Sequence, residues 1–156
     1  MSGGVARPAR RGERGAAAVE FALVVPFLLL LVFGIISYGF MLSFRQGVSQ
    51  GAAEGARAAA VSPAGDDADR LAAARDALND SLDTYGVTCD ASGVLLRGGT
   101  SVGTCAVTIA ACANDGGAQC ASLTVDYLYD DHPLVPGFPL VPLPDHLDYT
   151  AVARVS

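Results

Sequence analysis

Lysine is absent from this 156-residue chain, and so is tryptophan. Aromatic residues make up only 7%, and histidine occurs twice, at His132 and His146. All 10 basic residues are arginine, and 16 acids outnumber them, leaving a net charge of −6. A negative chain with no recurring arginine-rich face is not a nucleic-acid binder. A disordered tail is excluded, because 51% of the residues are hydrophobic. A multi-span transporter is excluded, because only one long apolar run exists. Catalytic signatures are missing as well. There is no G-x-S-x-G. The pairs Gly98-Gly99 and Gly116-Gly117 lack the lysine that completes a phosphate-binding loop. Asp130-Asp131-His132 reads as a solvated acidic turn. No catalytic residue, cofactor or metal is expected.

What the chain does contain is unevenly distributed. Residues Met1–Gly15 hold Arg7, Arg10, Arg11 and Arg14 against Glu13. Phe21–Phe44 then runs without a charge. As a helix it extends roughly 36 Å, against about 30 Å of bilayer hydrocarbon. Everything from Arg45 onward is acidic on balance. Basic before the span and acidic after it predicts an inside N-terminus and an outside C-terminus in the cytoplasmic membrane. A cleaved secretory signal fits poorly. Its apolar core is shorter, and the first run of small residues after the span, Ala58–Ala60, lies far beyond it.

Cysteine usage agrees with export. Cys89, Cys105, Cys112 and Cys120 all follow the span. Four cysteines in an exported domain read as two disulfides, for which three pairings exist. Zinc is the weaker alternative, since no pair has C-x2-C spacing.

The helix is expected to continue past the membrane to Val61, where Ser62-Pro63-Ala64-Gly65 breaks it. Gly47, Gly51, Gly55 and Ala59 form a smooth stripe along it. Such a stripe admits a close backbone neighbour, although a composition rich in alanine and glycine produces one too. A second helix should open at Asp66, Asp67 and Asp69. It would bury Leu71, Ala74, Leu78 and Leu82, and stop at Gly86. The pattern then changes to period two. Val102–Ala111 and Leu123–Tyr129 read as strands joined by a turn at Asn114–Gly117. A hairpin centred on Gly116 sets Cys112 against Cys120. One centred on Arg97-Gly98-Gly99 sets Cys89 against Cys105. These pairings are favoured, although sequence alone does not fix connectivity. Residues 132–146 contain five prolines, which favour an extended loop. Tyr149–Val155 is a final strand. The expected fold class is α+β, in three parts: a basic cytoplasmic leader (1–15), a transmembrane and protruding helix (16–61), and an exported domain (62–156).

The most informative stretch is Arg14-Gly15-Ala16-Ala17-Ala18-Val19-Glu20-Phe21. It places one carboxylate at the start of an apolar helix, where such a group needs hydration or a partner. The stretch resembles the cleavage site of type IV prepilins. It looks most like the TadE-like minor pseudopilins of the tight-adherence (Flp/Tad) pilus system. Ala52-Ala53-Glu54-Gly55-Ala56-Arg57 is similar to a segment common after the span in that family. The likeness covers roughly residues 10–61.

The resemblance implies a function. A prepilin peptidase would cut between Gly15 and Ala16. Glu20, now fifth in the mature chain and followed by Phe21, would pair with the amine of a neighbouring pilin or pseudopilin. Pro26, lacking an amide hydrogen, would free the Ala22 carbonyl and permit a kink, or would simply be a tolerated membrane proline. Other implied partners are the inner-membrane assembly platform and the lipid bilayer. Incorporation into a pilus and a role in cell adhesion follow from the same likeness. The major pilins of this system are far shorter and carry tyrosine after the glutamate. Phe21 and the long exported region therefore argue for a minor component. The alternative is an uncleaved single-span envelope protein with an extracytoplasmic binding domain.

Overall fold

The computed structural model describes residues 11–62, 66–136 and 141–155. Most of the leader, Pro63–Gly65 of the helix break and residues 137–140 of the proline-rich loop lie outside the described residues.

Helix α1 spans Arg11–Val61 and runs through Pro26 without a break. Its two halves have different surroundings. Nearly every side chain from Gly15 to Ile36 is exposed, Phe27 by 76%. Beyond that, Phe44, Val48, Ala52, Ala56 and Ala59 are buried at nearly regular spacing of four. The part expected to protrude from the membrane is therefore not free. It forms the spine of the C-terminal domain, the head of the molecule.

Helix α2, Asp67–Leu82, packs antiparallel to that spine. Asp66 caps it, its Oδ1 accepting from the Asp69 amide at 2.9 Å. Ala74, Leu78 and Leu82 are buried, as their spacing predicts, whereas Leu71, expected on the same face, is only half-buried. A 3-10 turn, Asp83–Tyr85, follows. Gly86 then ends it with φ +65°, a conformation that suits glycine. Near the start of α2, Arg70 donates to the Ala59 carbonyl at 3.1 Å. This satisfies one of the open carbonyls at the end of α1.

The stripe on α1 faces inward, against α2 and the sheet. A Cβ at Gly51 would approach Leu78 Cδ1 at 2.9 Å, and one at Gly47 would approach the Tyr85 ring at 2.7 Å. A Cβ at Gly55 would collide with Leu123 Cδ2 and would stand 2.7 Å from the Ala74 backbone oxygen. Backbone cannot yield as a side chain can. Gly55→Leu is therefore expected to destabilise the head by at least the ~1–3 kcal/mol typical of overpacking. Thermal unfolding of the full chain in detergent checks this. An unchanged midpoint would mean that the two helices are not in this contact.

Five strands follow as one antiparallel meander: β1 (Val87–Cys89), β2 (Val94–Arg97), β3 (Thr100–Cys112), β4 (Asp115–Leu128) and β5 (His146–Arg154). One face covers the helices. Leu123, Val125, Tyr127 and Tyr129 alternate inward, with Val102 and Cys105 beside them. Phe44 sits at the centre, edge-on to Tyr127 at 4.7 Å and to Tyr85 at 5.0 Å between ring centroids.

Both favoured disulfides are present. Cys89–Cys105 joins β1 to β3 at a Cα–Cα distance of 6.0 Å, and Cys112–Cys120 joins β3 to β4 at 5.0 Å. The first crosses over β2. Next-but-one strands in a flat sheet lie about 9–10 Å apart, so the sheet must curl there.

The β3–β4 hairpin corrects the expected register. Ala110, not Cys112, stands opposite Cys120, and Cys112 pairs with Asp115 across an irregularity. The turn is Ala113-Asn114, and Asp115-Gly116-Gly117 already belongs to β4. Gly116, Gly117 and Ala118 have no counterpart on β3. The glycines thus serve a wide bulge, which bends the strand and brings Cys112 diagonally within reach of Cys120. The final strand begins three residues earlier than expected, at His146.

Candidate processing and assembly site on the N-terminal helix

The first turns of α1 carry the residues singled out by the sequence. Gly15, Ala16 and Glu20 are all exposed, and Phe21 is 71% exposed. A Cβ at Gly15 would meet nothing within 4 Å. Glycine in a helix interior costs about 0.8–1 kcal/mol relative to alanine. The fold supplies no packing reason for glycine at this position.

Among the described residues, none bonds the Glu20 carboxylate. The next cation along the chain after Glu20 is Arg45, at the far end of the apolar run. Nor does the helix dipole help in the intact chain. Glu20 lies nine residues beyond the described helix start at Arg11, and that field fades within the first turn. A new terminus at Ala16 would change both conditions. It would place an amine and open helical N–H groups one turn from Glu20.

From Phe21 onward the helix is long and apolar enough to cross a membrane, with a mean hydropathy of 2.8 over its most apolar window. None of that window is buried. An unpartnered apolar surface of this length has lipid or other apolar helices as its natural surroundings. Pro26 lies on this exposed part and brings no local unwinding.

The head offers no comparable chemistry. No group of His, Cys, Asp or Glu suited to a metal ion occurs among the described residues. His132 and His146 are apart in role. The His132 carbonyl accepts from the Tyr127 hydroxyl at 2.8 Å. His146 Nδ1 lies 2.8 Å from Asp126 Oδ1, and this hydrogen bond and charge raise the imidazole pKa above its usual value. Asp90 is an Asx-type turn anchor. It accepts from the Val94 and Ser92 amides at 2.9 and 2.8 Å, and these bonds hold its carboxyl below the usual range.

Some contacts that organise the head gave no signal in the sequence. Asn79 on α2 pairs with Cys89 like an additional strand. Its Oδ1 accepts from the Cys89 amide at 2.6 Å and its Nδ2 donates to the Cys89 carbonyl at 3.2 Å. Tyr38 donates to the Pro142 carbonyl at 2.8 Å, and Arg97 to the Pro133 carbonyl at 3.1 Å. A tyrosine near the end of an apolar run was the one available hint.

Residues 15–57 match the model of a family described as TadE-like protein. This is the family that the Gly15–Phe21 and Ala52–Arg57 stretches resemble. No curated protein and no solved structure matches the chain.

Proposed function

We propose, from the TadE-like segment at residues 15–57, that this chain is a minor pseudopilin of a Tad/Flp-type pilus. The chain inserts as a single span with its basic leader inside and its head outside. A prepilin peptidase removes residues 1–15 on the cytoplasmic side. Glu20 of the mature chain then pairs with the amine at Ala16 of a neighbouring pilin or pseudopilin. An unpaired carboxylate in lipid penalises other axial offsets, so this pair sets the register between helices. The assembly platform gathers the subunits through their exposed helices. Pro26 allows the helix to bend as it leaves the bilayer. The role is structural and non-enzymatic, with the head presented at the cell surface or on the pilus.

One observation carries this reading: a family match falls on a helix whose first part is almost entirely exposed and whose carboxylate has no partner among the described residues. The direct test is intact mass and N-terminal sequence of the protein from host membranes. A chain beginning at Ala16 is expected. A chain retaining Met1–Gly15 would replace this reading with an uncleaved envelope anchor.

A further inference from the structure

We infer that a polar groove, where α1 passes the open edge of the sheet, binds the glycerol-phosphate headgroup of an anionic phospholipid in the outer leaflet. The inference rests on the membrane insertion of α1 proposed above.

Leu42, Arg45, Gln46, Ser49 and Gln50 recur at alternating steps of three and one, so they share one face of α1. Tyr149 of β5 stands across from them, and the space between is a cavity of about 480 Å³. β5 is the edge strand of the sheet. Leu147 and Tyr149 alternate onto its helix-facing side. Leu147 is buried there, but Tyr149 stays 41% exposed. No further strand covers it.

The polar groups of this groove are unengaged. Arg45, Gln46, Ser49, Gln50 and Tyr149 have no side-chain hydrogen bond or ion pair among the described residues. Elsewhere in the head Tyr38, Tyr85, Tyr127 and Asn79 are all bonded to backbone. No carboxylate lines the groove, although the chain beyond Arg45 is acidic on balance. Asp148 walls an adjoining cavity that shares Arg45, yet the two form no ion pair. One guanidinium among four neutral groups suits one negative charge among hydroxyls. Arginine forks onto phosphate oxygens, and amide and hydroxyl side chains both donate to and accept from hydroxyls. A choline headgroup fits worse, because it offers no hydroxyl and sets a second cation beside Arg45.

Depth selects a lipid as the source of that phosphate. At ~1.5 Å per residue, Leu42 stands about 33 Å from Glu20, Arg45 about 38 Å and Gln50 about 45 Å. The hydrocarbon core is about 30 Å thick, and headgroups extend the bilayer to about 40–45 Å. With Glu20 at the inner hydrocarbon boundary, Leu42 lies just past the outer one, at the root of the acyl chains. Arg45 lies at the rim of the headgroup layer. Helix side chains lean toward the N-terminus, which returns its guanidinium to the phosphates. Ser49 and Gln50 are on the water side, where a glycerol headgroup projects.

The test is native mass spectrometry of the full chain, extracted from host membranes into detergent. It is titrated with phosphatidylglycerol, phosphatidylcholine or soluble glycerol phosphate. One retained phosphatidylglycerol per chain is expected, with weaker binding of the other two. Arg45→Gln should weaken retention about tenfold, the loss expected of a charge-assisted contact. Gln50→Leu should weaken it too, whereas Arg57→Gln, roughly 18 Å farther along the helix than Arg45, should not. All three side chains are exposed, so none of these changes threatens the fold. Equal retention of the two lipids, or retention indifferent to Arg45→Gln, overturns the site. Glycerol phosphate held as well as the lipid overturns the lipid as its source. A chain absent from the membrane fraction overturns the anchor, and the groove with it. The same spectra give the mass of the chain. A retained leader, which overturns the pseudopilin reading, is thus seen separately from an empty groove.

Discussion

Glu20→Leu is expected to enter the membrane at normal abundance, to be trimmed at Ala16, and yet to leave the cells with sharply fewer pili. Leucine is more favourable than glutamate in lipid, so insertion cannot suffer. What disappears is the carboxylate that, in the proposed function, meets the amine of the next subunit. The matching change, Gly15→Leu, acts one step earlier. In the proposed function, a bulky residue before the scissile bond would block the peptidase, and the chain would keep residues 1–15. A Cβ at Gly15 meets nothing within 4 Å, so leucine there is expected to leave the fold undisturbed. Immunoblots of membranes for processing and electron microscopy for pili separate the two effects. Normal piliation with Glu20→Leu would remove the register role of the carboxylate, and normal trimming of Gly15→Leu would remove the cleavage assignment.

The second large effect concerns the disulfides. Replacing Cys89 and Cys105 by alanine should cost more stability than replacing Cys112 and Cys120. The closed loops span 16 and 8 positions. Chain entropy alone is worth about 3 kcal/mol for the longer loop and roughly 2.5 kcal/mol for the shorter. Position widens the gap. Cys89 and Cys105 are buried in the core, whereas the other pair lies at the far end of the β3–β4 hairpin. Strand β1 has only three residues, held by β2, the Cys89 bond and Asn79. Thermal unfolding in detergent and protease cleavage near Asp90 should rank the pairs in this order. Equal losses would mean that β1 is held well enough without its disulfide.

Much of this architecture is readable from residues alone, and the exceptions have physical causes. Strong periodicity gave α2 its buried face and gave β3 and β4 their alternation. Asp66, Asp67 and Asp69 marked the start of α2 through the helix dipole, whereas the capping bond of Asp66 needed coordinates. The cysteine pairing was right while the hairpin register was wrong. Asn-Asp-Gly-Gly is turn chemistry, but two of its glycines serve a bulge, and local sequence does not distinguish the two. The glycine stripe was legible as a close approach, but not as an approach by α2 of the same chain. Strands β1 and β2 are too short to show a period. Their position depends on Asn79 and a disulfide that crosses β2, both long-range facts. At the functional site the sequence supplied everything that the family match supports. That Glu20 has no partner among the described residues, and that a Cβ at Gly15 meets none of them, needed coordinates.

In the proposed function, one continuous helix belongs to both the lipid and the core. Phe40 is half exposed on the apolar stretch, and Phe44, one turn later, is the centre of the head. No swivel separates them. A roll of the helix about its own axis turns the whole sheet by the same angle. Each residue advances the helix by roughly 100°. A neighbour that engaged a carboxylate one position away from Glu20 would thus present a different side of the head to the outside. The single contact that fixes height along a bundle would also fix compass bearing, and every head in an assembly would point where its Glu20 dictates.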